Sequence, residues 1–350
     1  MPAPQKTSGT TPVQQTPDDK ATSLRSRLAG SNTAWTGLVL VALCVLFGAL
    51  RPDAFLTLFN VQNLLVQAAP LLMLAVGMTF VIITSGIDLS VGSVLVFAGV
   101  VSAMTMEALS GGDATGAGWG VIAVGLVVSL LGGAAWGLLN GLLVAVARVP
   151  ALIVTLGSFG AALGAAQLLT NGVDVRTVPS VLRTTLGTGT SFGVVPNLVI
   201  LAAIVTLLAW WLLHTTVFGR YTYAIGSNAE AARRSGIKVT RHLVVVYALT
   251  GVLAGLAGFM SLAYFGTTTI SGHSNDNLNS IAAVVLGGTS LFGGIGSILG
   301  SVIGIFIPAV LDAGFVMAGV RPFWQPIAVG AVLVAAVYLD QRRRRARNSR

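Results

Sequence analysis

The sequence predicts an all-α, polytopic membrane protein of about ten transmembrane helices, with both termini in the cytoplasm. Three observations predict it. Of 350 residues, 54% are hydrophobic and only 9% charged, with a mean hydropathy of +0.86, whereas a soluble domain carries about a quarter charged residues. The apolar residues fall in runs close to the roughly 20 residues that cross a 30 Å hydrocarbon core at 1.5 Å of rise each. The bases are unevenly shared. With an even number of spans and the N-terminus inside, sixteen of the twenty lie in internal segments and four, Arg51, Arg176, Arg183 and Arg321, in external ones. Cytoplasmic loops carry the excess of Lys and Arg, and removing one span would destroy the asymmetry.

Residues 1–33 are rich in Thr, Gln, Pro and Ser and read as a disordered cytoplasmic tail. The membrane domain, 34–339, begins with a span at about 34–50, kept as a helix because no small-residue cleavage pattern follows it. The second span covers 63–84. A polar break, Ser85-Gly86-Ile87-Asp88-Leu89-Ser90, separates it from the third at 91–106. A Gly-rich external loop leads to the fourth, 120–147, and Arg148 and Pro150 precede the fifth, 151–170. After a long external stretch come the sixth at 197–213, the largest internal loop at 214–242, and the seventh at 243–265. The last three are placed at 278–292, 297–311 and 323–339, before a basic cytoplasmic tail at 340–350. Trp35, Trp119, Trp210, Trp211 and Trp324 fall near span ends, as an aromatic belt requires. Val91-Gly92-Ser93-Val94-Leu95 and Ile295-Gly296-Ser297-Ile298-Leu299 form a weak parallel repeat, each opening an outward-running span.

The composition also excludes functions. The net charge of +9 does not suit nucleic acid, because the bases bracket apolar helices and do not line a folded face. The single Cys44 permits no internal disulfide. There is no phosphate-binding G-x-x-x-x-G-K-[ST] loop, and Lys6, Lys20 and Lys238 follow no glycine-rich turn. His214, His242 and His273 are scattered, so neither a metal nor a cofactor is expected on the chain. Ion-coupled carriers usually hold several intramembrane carboxylates; here Asp88 and Asp312 are the candidates. The energy for any transport must come from elsewhere.

Glycines recur four apart at Gly133, Gly137 and Gly141, at Gly160 and Gly164, at Gly251 and Gly255, and at Gly296, Gly300 and Gly304. That spacing places each set on one helix face, where backbones approach closely in lipid. Asp88 is the first candidate for a pathway or gating role, since a carboxylate inside a membrane faces a cavity or a partner. The competing reading is that Asp88 or Ser90 caps the third span. Asn140 in the fourth span, and Gln67 in the second, act either as interhelical hydrogen-bonding groups or as contacts to a polar solute. The internal loop holds a short helix with Ser227 or Asn228 as N-cap, Glu230 in its first turn, Arg233 and Arg234 in its last, and Gly236 as its stop. A helix of about seven residues is not stable alone, so it docks on its own bundle or on another protein.

Many motifs then occur in order. They run through Gly77-Met78-Thr79, Ser85-Gly86-Ile87-Asp88-Leu89-Ser90-Val91-Gly92-Ser93, Gly137-Leu138-Leu139-Asn140-Gly141, Val154-Thr155-Leu156-Gly157 and Phe218-Gly219-Arg220. Ala224-Ile225-Gly226-Ser227-Asn228, Ala231-Ala232, Ser235-Gly236-Ile237 and the block from Ile281 to Gly294 continue the series up to Trp324-Gln325. Over about 60–340 the chain resembles the permease subunit of bacterial monosaccharide ABC importers of the ribose, xylose and galactose type. The resemblance implies a multi-pass cell (inner) membrane protein with no catalytic residues, serving sugar or polyol import. It implies a homodimer, a cytosolic ATPase that carries ATP-Mg, and a periplasmic or extracellular sugar-binding protein. The loop helix becomes a coupling helix with Asn228, Glu230, Ala231, Ala232, Arg233 and Gly236 as contacts, the alanines packing on the ATPase and Glu230 and Arg233 pairing with it. The alternative kept beside it is an ion-coupled secondary transporter of a small polar solute. One departure is that Asn277-Leu278-Asn279 stands where the family commonly has Glu-Leu-Asp, so no binding-protein contacts are carried over there.

Overall fold

Apolar stretches without water to bond must satisfy their own backbone, and helices do so within one segment. The computed structural model describes residues 32–321 except 274, and then Trp324, Ile327, Gly330, Ala331, Val334 and Tyr338, all six helical. The tails at 1–33 (but for its last two residues) and 340–350 and most of the span expected at 323–339 lie outside the described residues. In chain order the helices are α1 (Asn32–Leu50), α2 (Pro52–Phe55), α3 (Leu58–Ile83), α4 (Val91–Leu109), α5 (Trp119–Ala145) and α6 (Ala151–Thr170). A short turn α7 (Ser180–Leu182), a π turn and a two-stranded antiparallel hairpin, β1 (Thr190–Ser191) and β2 (Val195–Pro196), lead to α8 (Asn197–Thr215). Then follow α9 (Val217–Ser227), α10 (Ala229–Arg234), α11 (Val239–Phe265), α12 (Asp276–Leu286) and α13 (Ile298–Met317). Among the described residues seven of these (α3, α4, α5, α6, α8, α11 and α13) are long and apolar enough to cross a membrane, and α1 is a shorter apolar helix.

Local chemistry sets the boundaries. Thr57 caps α3 by accepting from the Asn60 amide at 3.2 Å, and Ser297 caps α13 by accepting from Gly300 at 3.0 Å. Pro150 and Pro196 stand at the N-caps of α6 and α8, where a missing N–H costs nothing. α6 ends on left-handed Asn171 and α11 on left-handed Gly266, the usual way of turning a chain out of a helix.

α3 and α11 form the centre. The former is buried over 83% of its apolar window, against 28% for α5 and α6 and 22% for α8. The outer helices instead expose Leu131, Leu156, Leu168, Leu207 and Trp211, faces that only lipid or another membrane protein can cover. The glycine registers divide along the same line. A methyl on Gly133 would overlap the Gly251 carbonyl, one on Gly137 the Tyr247 carbonyl, and one on Gly255 the Ser129 carbonyl. α5 and α11 thus touch backbone to backbone, as the four-residue spacing predicts. Gly300 and Gly304 meet Gly287 and Ala283 of the α12 segment in the same way. Gly160 and Gly164 do not follow: among the described residues nothing lies within 4 Å of a methyl at either one. Spacing alone marks a smooth face and is silent about whether a neighbour uses it.

The expected span at 278–292 is also corrected. The helix stops at Leu286 after 11 residues, about 16 Å at 1.5 Å per residue, too short to cross a bilayer. The chain then turns through Gly288, Gly293 and Gly294, all at positive φ, a conformation that glycine alone adopts without strain.

Hydrogen bonds sort the helix ends into two sets. At one end the Gly294 amide donates to Ile83 at 2.8 Å, Ser85 Oγ to Phe292 at 2.9 Å, and Tyr223 Oη to Gly296 at 2.7 Å. Thr36 of α1 donates to the Leu286 carbonyl there too. At the opposite end Ser180 joins Thr115, Thr268 joins Val175, and Gln62 joins Val194. α9 and α10 lie at the first end, where Ser85 Oγ also donates to the Gly226 carbonyl of α9 at 3.3 Å.

Candidate functional site: two broken helices and a paired helical knob

The polar break after α3 is a re-entrant turn. Ser85 takes a φ of 64° and reverses the chain, so that residues 86–90 climb back into the bundle. There the Tyr247 hydroxyl of α11 donates to the Ile87 carbonyl at 3.4 Å, and α4 begins only at Val91. Irregular backbone at membrane depth must be buried in protein or line water, and Asp88 is 2% exposed and Ser90 fully buried.

Asp88 is the cap of this turn. Its Oδ1 accepts from the Ser90 amide at 2.8 Å and from Ser90 Oγ at 2.6 Å. Asn140 Nδ2 of α5 donates to Ser90 Oγ at 2.9 Å, and Ser158 of α6 donates to Asn140 Oδ1. Four side chains from the break, α5 and α6 therefore form one buried chain of hydrogen bonds. Three sequence candidates, Asp88, Ser90 and Asn140, come together in it. Gln67 does not; it is exposed on α3. Ser158 is the member the sequence left unnoticed, because a lone serine in an apolar helix carries no signal of its own.

A second group abuts the first. α12 also begins inside the bundle, and Asn277 Nδ2 donates to the Leu89 carbonyl of the break at 3.2 Å. A methyl on Gly92 would sit 3.0 Å from the His273 carbonyl. His273 Nδ1 lies 2.6 Å from Asp276 Oδ2, and His273 Nε2 lies 2.9 Å from Ser261 Oγ of α11. The order Ser, His, Asp is that of a nucleophile with its base and orienting acid. Here Ser261 is 4% exposed in mid-helix, and the adjoining space of about 10 Å³ holds roughly one water. The arrangement ties α11, α12 and the strand-like break together and has no room for a substrate carbonyl. Individually scattered histidines hid it from the sequence; His273 and Asp276 at a three-residue spacing were the available signal.

The α9–α10 knob follows its sequence punctuation. Asn228 Oδ1 accepts from the Ala231 amide at 2.9 Å, and Gly236 at φ 85° ends the turn. Three of the contact candidates, Ala232, Glu230 and Arg233, are already engaged within the chain. Ala232 is 5% exposed and packs with Ile225 and Val239, which turns it away from any partner. Glu230 pairs with Arg233 at 3.1 Å and Arg234 at 3.2 Å. These exposed pairs stabilise by well under about 1 kcal/mol, so they exchange readily for a better partner. Asn228, Glu230, Ala231, Arg233 and Gly236 are all solvent-exposed. The knob is tied down beneath: Thr222 Oγ1 lies 2.9 Å from His242 Nε2, and the Phe218 and His242 rings sit 4.4 Å apart.

The family described as branched-chain amino acid transport system / permease component matches residues 60–337. The ribose import permease protein RbsC of Escherichia coli (strain K12) is 40% identical over 309 residues, covering 87% of this chain and 92% of that protein. The fructose import permease protein FrcC of Rhizobium meliloti is 33% identical over 325 residues, 91% of this chain and 88% of its own. The xylose transport system permease protein XylH of Escherichia coli (strain K12) is 34% identical over 365 residues, 87% and 91% respectively. No solved structure matches the chain.

Proposed function

The chain belongs to the branched-chain amino acid transport system / permease component family, and from that premise we propose that it forms the membrane pathway for a monosaccharide or related polyol. As an ABC import permease it is a transport subunit of the inner membrane and not an enzyme, and it works with an ATPase and a substrate-binding protein. The sugar assignment is carried by one observation: relatives named for ribose, fructose and xylose each align over at least 87% of this chain. Uptake driven by an ion gradient through this chain alone is the reading those relatives disfavour.

In this reading α9–α10 is the coupling element on the cytosolic side. Asn228, Glu230, Ala231, Arg233 and Gly236 meet the ATPase, and Ala232 holds the knob to its own bundle. Two copies of the chain enclose the pathway. The termini lie on the cytosolic side, and ATP-Mg is held by the ATPase alone. Closure of the ATPases pushes the knob, and the two broken helices, joined at Asn277 and Leu89, carry the motion to mid-membrane. That displaces a population between inward- and outward-open states. Asp88, Ser90 and Asn140 hold the break in register during the change.

The test is reconstitution. Vesicles holding this chain with its cognate ATPase and binding protein take up labelled pentose or hexose on ATP addition. Vesicles with the chain alone and an ion gradient take up none. Uptake by the isolated chain would overturn the reading.

A further inference from the structure

A pocket of about 490 Å³ opens beside the knob, at the place where α5 leaves the apolar core and α11 enters it. Its walls are of two kinds. Val146, just past the end of α5, with Val239 and Val244 of α11, forms an apolar side. Arg233, Lys238 and Arg241 supply three cationic side chains around the same opening. Val146 is 59% exposed, and the three bases are exposed as well. Among the described residues, Arg233 pairs with an acid, Glu230, and no ion pair engages Lys238 or Arg241.

We propose that this pocket binds an anionic phospholipid, its phosphate held by Lys238 and Arg241 and its upper acyl chain laid on Val146 and Val244. Charge complementarity selects the occupant. A phosphodiester at the boundary of the hydrocarbon meets cations on one side and valines on the other, which neither a sugar nor a free anion satisfies together. Basic pockets between helices at the cytoplasmic boundary suit anionic headgroups for this reason. The site adjoins α10, so an occupied pocket braces the segment Ser235–Lys238 between the knob and α11.

The purified full-length chain is tested in detergent with added phosphatidylglycerol or phosphatidylcholine, reading the thermal midpoint. Phosphatidylglycerol raises the midpoint, phosphatidylcholine does not, and rising salt erodes the gain by screening. In K238Q/R241Q the apparent affinity for phosphatidylglycerol falls about thirtyfold, two bases at roughly 1 kcal/mol each. The variant's midpoint in phosphatidylcholine, equal to that of the unchanged chain, shows that it folds. Three results overturn the proposal. They are equal stabilisation by phosphatidylcholine, the same gain from inorganic phosphate alone, and an unchanged phosphatidylglycerol response in the double variant. Where the third result comes with loss of ATPase co-purification, the pocket belongs to the ATPase interface.

Discussion

Asp88 caps the break, and substitution separates that from the gating role the sequence also offers. As an acceptor for the Ser90 amide and hydroxyl it needs an oxygen, which Asn also offers; as a charge it needs a carboxylate. Asp88→Ala is therefore expected to lower stability by about 1–3 kcal/mol through two orphaned buried donors, measured by thermal unfolding of the purified chain. Asp88→Asn is expected to retain most of that stability. If its uptake is also normal, the carboxylate serves as a cap; if uptake is lost in a stable protein, the charge itself serves transport. Asn140→Ala, which breaks both the Ser90 and Ser158 links, is expected to cost about 0.6–1.7 kcal/mol, the range of interhelical bonds in a membrane. Asp88 and Asn140 were legible as polar residues in apolar surroundings. Ser158 and Ser261 were not, because a serine bonds equally well to its own helix.

Packing divides the glycine registers at the scale of the element. Gly251→Leu forces α11 away from α5 over the whole contact, and the expected outcome is loss of folded protein in membranes, scored by expression and size-exclusion profile. Gly160→Ala meets nothing among the described residues and gains up to about 1 kcal/mol of helix propensity. Lost function with retained stability in that variant would place a second copy against α6. The knob makes its own prediction: Glu230→Lys removes both surface ion pairs at little cost to folding, and is expected to weaken ATPase retention in pull-downs and reduce uptake. Full retention with normal uptake would remove the coupling role. The helix punctuation of this knob was readable residue by residue. The second role of Ala232 as an inward anchor was not, since α9 and the first turn of α11 supply its neighbours.

Orientation belongs to the whole molecule. The hydrogen bonds that gather the start of α1, the end of α3 and α9 at one end predict that these regions share one face of the membrane. In a Cys44→Ser background, single cysteines at the exposed positions 230 and 35 are expected to react alike with an impermeant thiol reagent in sealed cells. A cysteine at position 176 is expected to show the opposite accessibility. Labelling of positions 230 and 176 from the same side would break the proposed topology.

Hydropathy and helix punctuation are local quantities, and they carried the all-α membrane class, the long apolar helices α3, α4, α5, α6, α8 and α11 apart from ends displaced by a few residues, and the capped knob. α12 escaped them: residues 278–292 are apolar throughout much of their length, and only the turn at Gly288 to Gly294 against Ile83 and Ser227 shows that the helix stops halfway. The meeting of the two breaks at Leu89 and Asn277, 188 residues apart in the chain, is likewise a property of packing. Local sequence decides whether a segment prefers lipid to water. Where two such segments cross, and which polar atoms they pair, depends on backbone contacts made far along the chain.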